Sequence, residues 1–197
     1  MKAREENVQA ISMRPEWERI ELLVYSLDQE RTGRRLSEEL LERLKVLQNR
    51  VEELRGAQSS PWRALVDHEW APLTYDVMAL AVAPEVEPRI GWMYQQLQPG
   101  NQSCFPSVAT VRELLALDEA ETSDFYLLLD EESPLRWTQM VRVDGQGTQQ
   151  TLVPGHGVAA RLMNWPCPMT APAGASRVWL KAHFNDLILP QDCIDQL

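Results

Sequence analysis

LTYDVMALAVAPEVEPRIGWMYQQLQ, residues 73–98, holds two helical patterns separated by prolines, and the way they are read decides the fold. In the first, Leu73, Val77, Leu80 and Ala81 recur on one helical face, and Pro84, with no amide hydrogen to continue the ladder, is expected to end it. Pro88 suits a first helical position. Ile90, Met93, Tyr94 and Leu97 then match the i, i+3, i+4, i+7 template of a second helix, closed by the PGNQ turn at 99–102. Glu85 and Glu87 alternate with the prolines. Two carboxylates so close could do acid–base work, but beside helix-breaking residues they read as helix caps.

Downstream, Ser107 is placed to cap a helix that buries Val108, Val111, Leu114 and Leu115. Asp118 and Glu121 have capping-box spacing for another helix, which carries Phe125, Leu128 and Leu129. The pattern changes in SPLRWTQMVRVDGQGTQQTLVP, residues 133–154. There Val141 and Val143 flank Arg142, and Asp144-Gly145 marks a reversal between extended segments, so a β-hairpin is expected, with a short helix within 157–165. The proline- and alanine-rich PCPMTAPAGAS, 166–176, reads as a linker. Beyond it, 177–197 has apolar clusters too small for a core of their own, and a packing partner past Leu197 is expected.

Upstream, Trp17, Ile20, Leu23, Val24 and Leu27 follow helical spacing after Pro15, and the helix is expected to stop near Arg31, where Gly33 can take the left-handed closing conformation. Ser37, followed by Glu38 and Glu39, caps a second helix. In it Leu40, Leu44, Leu47, Val51 and Leu54 alternate at intervals of four and three, the seam of a coiled coil. A short connection makes the pair an antiparallel hairpin, with the seam satisfied inside it rather than by pairing with another subunit. The chain is thus expected to be mainly α: a helical hairpin at 1–58, a winged-helix-like α+β domain at 59–166, and a linker and arm at 167–197.

Composition narrows the function. The formal net charge is −10, with 11 Lys/Arg against 12 Asp/Glu in residues 1–60 and 8 against 17 in the remainder, so the larger part of the surface repels phosphate backbones. The winged-helix outline raises DNA reading as a rival role, but the candidate recognition helix carries only Arg112 and the hairpin only Arg142. No apolar run approaches the roughly 20 residues of a membrane span, and residues 1–17 lack a signal peptide's apolar core, so a cytoplasmic protein is expected. Cys104, Cys167 and Cys193 are scattered and odd in number. With His68, His156 and His183 they give no zinc spacing, so neither a disulfide framework nor a metal site is expected.

No nucleophile elbow, paired-carboxylate motif or metal-binding helix occurs, and no catalytic residue is assigned. Recognition chemistry rests on tryptophan, because aromatic side chains dominate binding hot spots. Trp17, Trp62 and Trp92 lie in apolar helical patterns and are expected in the core. Trp70, Trp137 and Trp165 are less constrained and are the candidate protein-binding residues.

Residues 73–98 resemble the signature helix pair in the N-terminal winged-helix region of a bacterial and archaeal class of AAA+ ATPases. PSVATVRELLAL (106–117), SPLRWTQMVRVDG (133–145) and HFNDLILPQDCIDQL (183–197) fall in that family's order, so the resemblance covers about residues 62–197. Some members serve extracellular contractile injection systems, where the ATPase is implicated in loading toxins by their leader segments. The resemblance implies a non-catalytic domain that binds cargo protein and couples it to a hexameric ATPase ring. Its rival is an assembly scaffold that reads no cargo. The G-x-x-x-x-G-K-[ST] loop does not occur in this sequence, so ATP and magnesium are implied only for the ATPase module expected after Leu197.

Overall fold

A computed structural model of the chain describes residues 12–166. The fold is mainly helical with one small antiparallel sheet. In order it runs α1 Arg14–Arg31, α2 Glu38–Gly56, a 3-10 turn Pro61–Ala64, α3 Pro72–Val86, α4 Pro88–Leu97, α5 Val108–Leu114, α6 Glu119–Leu129, α7 Pro134–Trp137, β1 Val141–Asp144, a second 3-10 turn Gly147–Gln149, β2 Thr151–Pro154 and α8 Val158–Leu162. The arm expected at 167–197 lies outside the described residues.

α3 occupies the centre of the core because its sequence permits nothing else. Residues 77–84 are all buried, and a helix apolar on every side must be covered on every side. α1, α4, α8 and β2 supply the cover. Pro84 does not end this helix, as its missing amide suggested, but sits within it two residues before the close at Val86. Pro84 leaves the carbonyl of Leu80, four residues back, without its helical donor. The Tyr94 hydroxyl of α4 fills the gap, donating to that carbonyl at 3.2 Å from a fully buried ring. Burial pushes the Tyr94 pKa far above its ordinary value, so the phenol keeps this proton. Tyr94→Phe is expected to cost about 1–3 kcal/mol, the penalty of a buried carbonyl left unsatisfied. Urea denaturation checks it, and an unchanged midpoint would mean that the carbonyl finds water.

The helix pair turns at Glu87, whose extended backbone (φ −123°, ψ 88°) is the conformation required of a residue before proline. Neither Glu85 nor Glu87 caps a helix with its carboxylate, contrary to the sequence reading. The backbone does this work: the Glu87 amide donates to Ala83 and its carbonyl accepts from Ile90. Trp92, expected in the core, is 65 % exposed, because Ile90, Tyr94 and Leu97 define the buried side of α4 and position 92 faces away from it.

Local signals elsewhere act as chemistry requires. Gly33 (φ 70°) closes α1, with its amide on the Glu30 carbonyl and that of Arg34 on Gln29. Ser37, Ser107 and Asp118 cap α2, α5 and α6 with their side chains, and Glu121 completes the capping box. Gln98 makes all four bonds its amide allows: Nε2 donates to the Ser103 and Phe105 carbonyls, and Oε1 accepts from the Ser107 amide and the Thr110 hydroxyl. That clamp ties the end of α4 to the start of α5. The stretch before β1, read as the approach to an extended hairpin, first forms the single turn α7, capped by Ser133. β1 then pairs with β2 in the register Val141↔Pro154 to Asp144↔Thr151, with Val141 and Leu152 buried.

The start of α1 lies against the end of α2, but α1 is not a free-standing partner for it. Met13, Trp17, Ile20, Val24 and Leu27 belong to the same apolar core as α3, α4 and α5. Residues 56–61 mark a change of element, and the core runs across them. Along the α2 seam, burial grows toward this core. Leu40 and Leu44 are half-buried, while Leu47, Val51 and Leu54 are buried.

Candidate functional site

Where α1, α2 and α3 meet, charge is enclosed rather than excluded. Arg55 donates to Glu16 through Nη2 (2.5 Å to Oε1) and Nε (3.1 Å to Oε2), and Nη2 also reaches Asp76 Oδ1 at 2.8 Å. Arg19 pairs with the same Asp76 oxygen at 2.9 Å. Glu16 is fully buried, and Arg19 and Arg55 nearly so. Burial pushes the Glu16 carboxyl above the ordinary carboxylate value against the attraction of Arg55. Burial alone would lower the Arg55 pKa, but the two carboxylates carry it above its usual value. Two cations and two anions balance, and the Arg55 guanidinium lies 5.3 Å from the Tyr75 ring centroid. Arg19 contributes an ion pair without an aligned hydrogen bond, and with its charges paired inside the group this cluster reads as structural.

Beside it an open cleft of about 920 Å³ lies between the start of α1, the Pro61–Ala64 turn, the end of α3 and α8. Its apolar lining includes Met13, Trp17, Pro61, Val86, Leu162, Met163 and Trp165. Trp165 is placed there by the way α8 ends. Asn164 takes the left-handed conformation (φ 52°), and the Trp165 amide closes back onto the Ala160 carbonyl at 2.8 Å. The polar rim is Glu18, Glu21 and Glu87 with Arg14 and Arg161. Arg14 is paired with Glu18 at 2.6 Å and Arg161 donates to the Ala64 carbonyl at 3.1 Å, so the cations are already engaged. The buried indole N–H of Trp17 has no acceptor among the described residues.

No family model, curated protein or solved structure matches the chain. Among the described residues no group of three or more His, Cys, Asp or Glu is placed to hold a metal ion, and no helix is long and apolar enough to cross a membrane.

The three candidate tryptophans fall on different elements. Trp165 lines the cleft and is 46 % exposed. Trp137, at the end of α7, is 79 % exposed. Trp70 is half-buried in an aromatic triad, its ring centroid 6.0 Å from that of Trp62 and 5.4 Å from that of Tyr75, and its amide donates to the Tyr75 hydroxyl. The expected core residues Trp17 and Trp62 are buried, and Trp17 also forms part of the cleft wall. Sequence reading passed over Met13 and Met163 because neither continues a helical stripe. It also passed over Tyr126 and Leu127, which are exposed on α6. The run YLLL at 126–129 held the signal, since consecutive apolar residues on a helix cannot all face one side.

Of the two cations weighed for DNA contact, Arg112 lies over the Tyr126 ring, 5.8 Å from its centroid. Arg142 is exposed and stands 3.9 Å from Asp144.

Proposed function

We propose that the chain is a non-catalytic protein-recognition module serving an AAA+ ATPase ring of the class it resembles, and that it holds a segment of a cargo protein, such as a toxin leader, in the cleft. The lining carries this reading: Met163 and Trp165 present adaptable thioether and indole surface, backed by the buried Met13 and Trp17, the kind of wall that fits varied apolar side chains without a fixed shape. In the same reading α1 and α2 form a coiled-coil hairpin, supported by the graded burial of the α2 seam. α3 to α8 with the β1–β2 pair form a winged-helix-like domain, supported by the order of helices, strand pair and closing helix.

Calorimetric titration of the full chain with leader peptides of candidate secreted toxins tests this reading. Saturable binding that a scrambled peptide does not reproduce is expected, and Trp165→Ala should weaken it about tenfold, the loss typical of one aromatic contact. Equal binding of leader and scramble, or indifference to Trp165→Ala, would refute it.

A second reading, an assembly scaffold, is favoured by Leu41 and Val46, which stand 44 % and 48 % exposed on α2. Concentration-dependent sedimentation without leader binding would select it. DNA reading has less support, because Arg112 is committed to Tyr126 and the surface is acidic.

A further inference from the structure

We propose that the outer face of α6 and α7 is a separate docking surface for a basic protein segment bearing large apolar side chains. The proposal rests on reading the chain as a protein-recognition module, but not on the cleft. α6 turns Phe125 fully inward, with Leu128 and Leu129 half-buried beside it. The helical repeat then points Leu127 the opposite way, 66 % exposed, with Tyr126 next to it at 45 %. α7 packs on α6 and ends in Trp137, which at 79 % is more exposed still. Side chains of this size left in water are apolar surface that a partner gains by covering.

Charge selects the partner. Glu119, Glu121, Asp124, Asp130, Glu131 and Glu132 are all exposed along the same stretch of chain. The one base within 119–137 is Arg136, whose guanidinium donates to the Leu129 carbonyl. Adjoining Arg112 is held over Tyr126. A second copy of the chain meeting this face with its own would oppose like charges, and nucleic acid or an anionic membrane would be repelled in the same way. A cationic segment fits instead: its apolar side chains meet Leu127 and Trp137, and its Lys and Arg meet the surrounding carboxylates.

The test uses the full chain and a labelled amphipathic peptide with leucines along one helical face and lysines along the other, against a counterpart with glutamate at each lysine. Saturable anisotropy binding of the lysine peptide, weakening as salt rises, is expected, with none for the glutamate peptide. Leu127→Ser, Trp137→Ala and the pair Glu131→Lys with Glu132→Lys should each weaken it about tenfold, while Trp165→Ala leaves it unchanged. All these positions are exposed, and matching thermal unfolding verifies that each variant is folded. Equal binding of both peptides, no binding of the lysine peptide, or binding that the α6–α7 variants leave intact would overturn the proposal. Leader binding that is lost in Trp165→Ala and kept in Leu127→Ser would leave the cleft standing, so the two readings fail separately.

Discussion

Arg55→Ala is expected to lower stability by about 3–5 kcal/mol, a large share of what a domain of this size possesses. The substitution removes both bonds to Glu16 and the bond to Asp76, leaving Glu16 fully buried with only Arg19, 3.7 Å away, to balance it. A carboxylate stripped of its partner inside a protein costs far more than the intact pair contributes, because it has left water and received nothing in exchange. Glu16→Gln is the informative control. Burial already pushes the Glu16 carboxyl toward its neutral form, and glutamine keeps the shape, so this change should cost less than Arg55→Ala. Urea denaturation with an unchanged m-value reads both effects. A loss below about 1 kcal/mol for Arg55→Ala, the range of surface ion pairs, would mean that water reaches the cluster.

Gly155→Ala is expected to cost about 3 kcal/mol, at the upper end of overpacking effects, because the obstacle is backbone. A Cβ at this position would stand 1.7 Å from the Gln139 carbonyl oxygen and 2.9 Å from its carbon. The Gly155 amide donates to the Met140 carbonyl at 2.8 Å, which holds the end of β2 against the corner between α7 and β1. Gln139 itself has a left-handed backbone (φ 56°), so little freedom remains for it to move aside. Relief would have to come from β1, which would strain its register with β2. Thermal unfolding measures the effect, and a change within about 0.5 kcal/mol would show the corner to be freely adjustable.

The helices were legible because their signals are local. Gly33, Ser37, Ser107 and the Asp118–Glu121 box each act on backbone within a few residues, and each does so in the structure. What the sequence hid depends on contacts between distant segments. Pro84 reads as a stop because nothing nearby reveals that Tyr94 supplies the missing donor. Glu16, Arg19 and Arg55 look like solvated helix residues until α1, α2 and α3 enclose them. Trp92 was misplaced by pattern, since an apolar residue next to a stripe scores much like one within it. In the cleft, only Trp165 was legible. Met163 joins it through the closing of α8 onto the Pro61–Ala64 turn, and Met13 and Trp17 through the start of α1, contacts with no sequence spacing of their own.

The sharing of one core by α1 and α3 sets how the molecule can be taken apart. A deletion that removes residues 1–58 would seem to excise an appendage, but it would strip Trp17, Ile20 and Val24 from the flank of α3 and leave Asp76 without either arginine. The fragment would expose a raw apolar surface, and any loss of partner capture would report misfolding rather than a missing binding element. Domain swaps between chains at this junction meet the same obstacle. The two-helix arm cannot be traded as a cassette, and its role has to be dissected by single side chains on its outer surface.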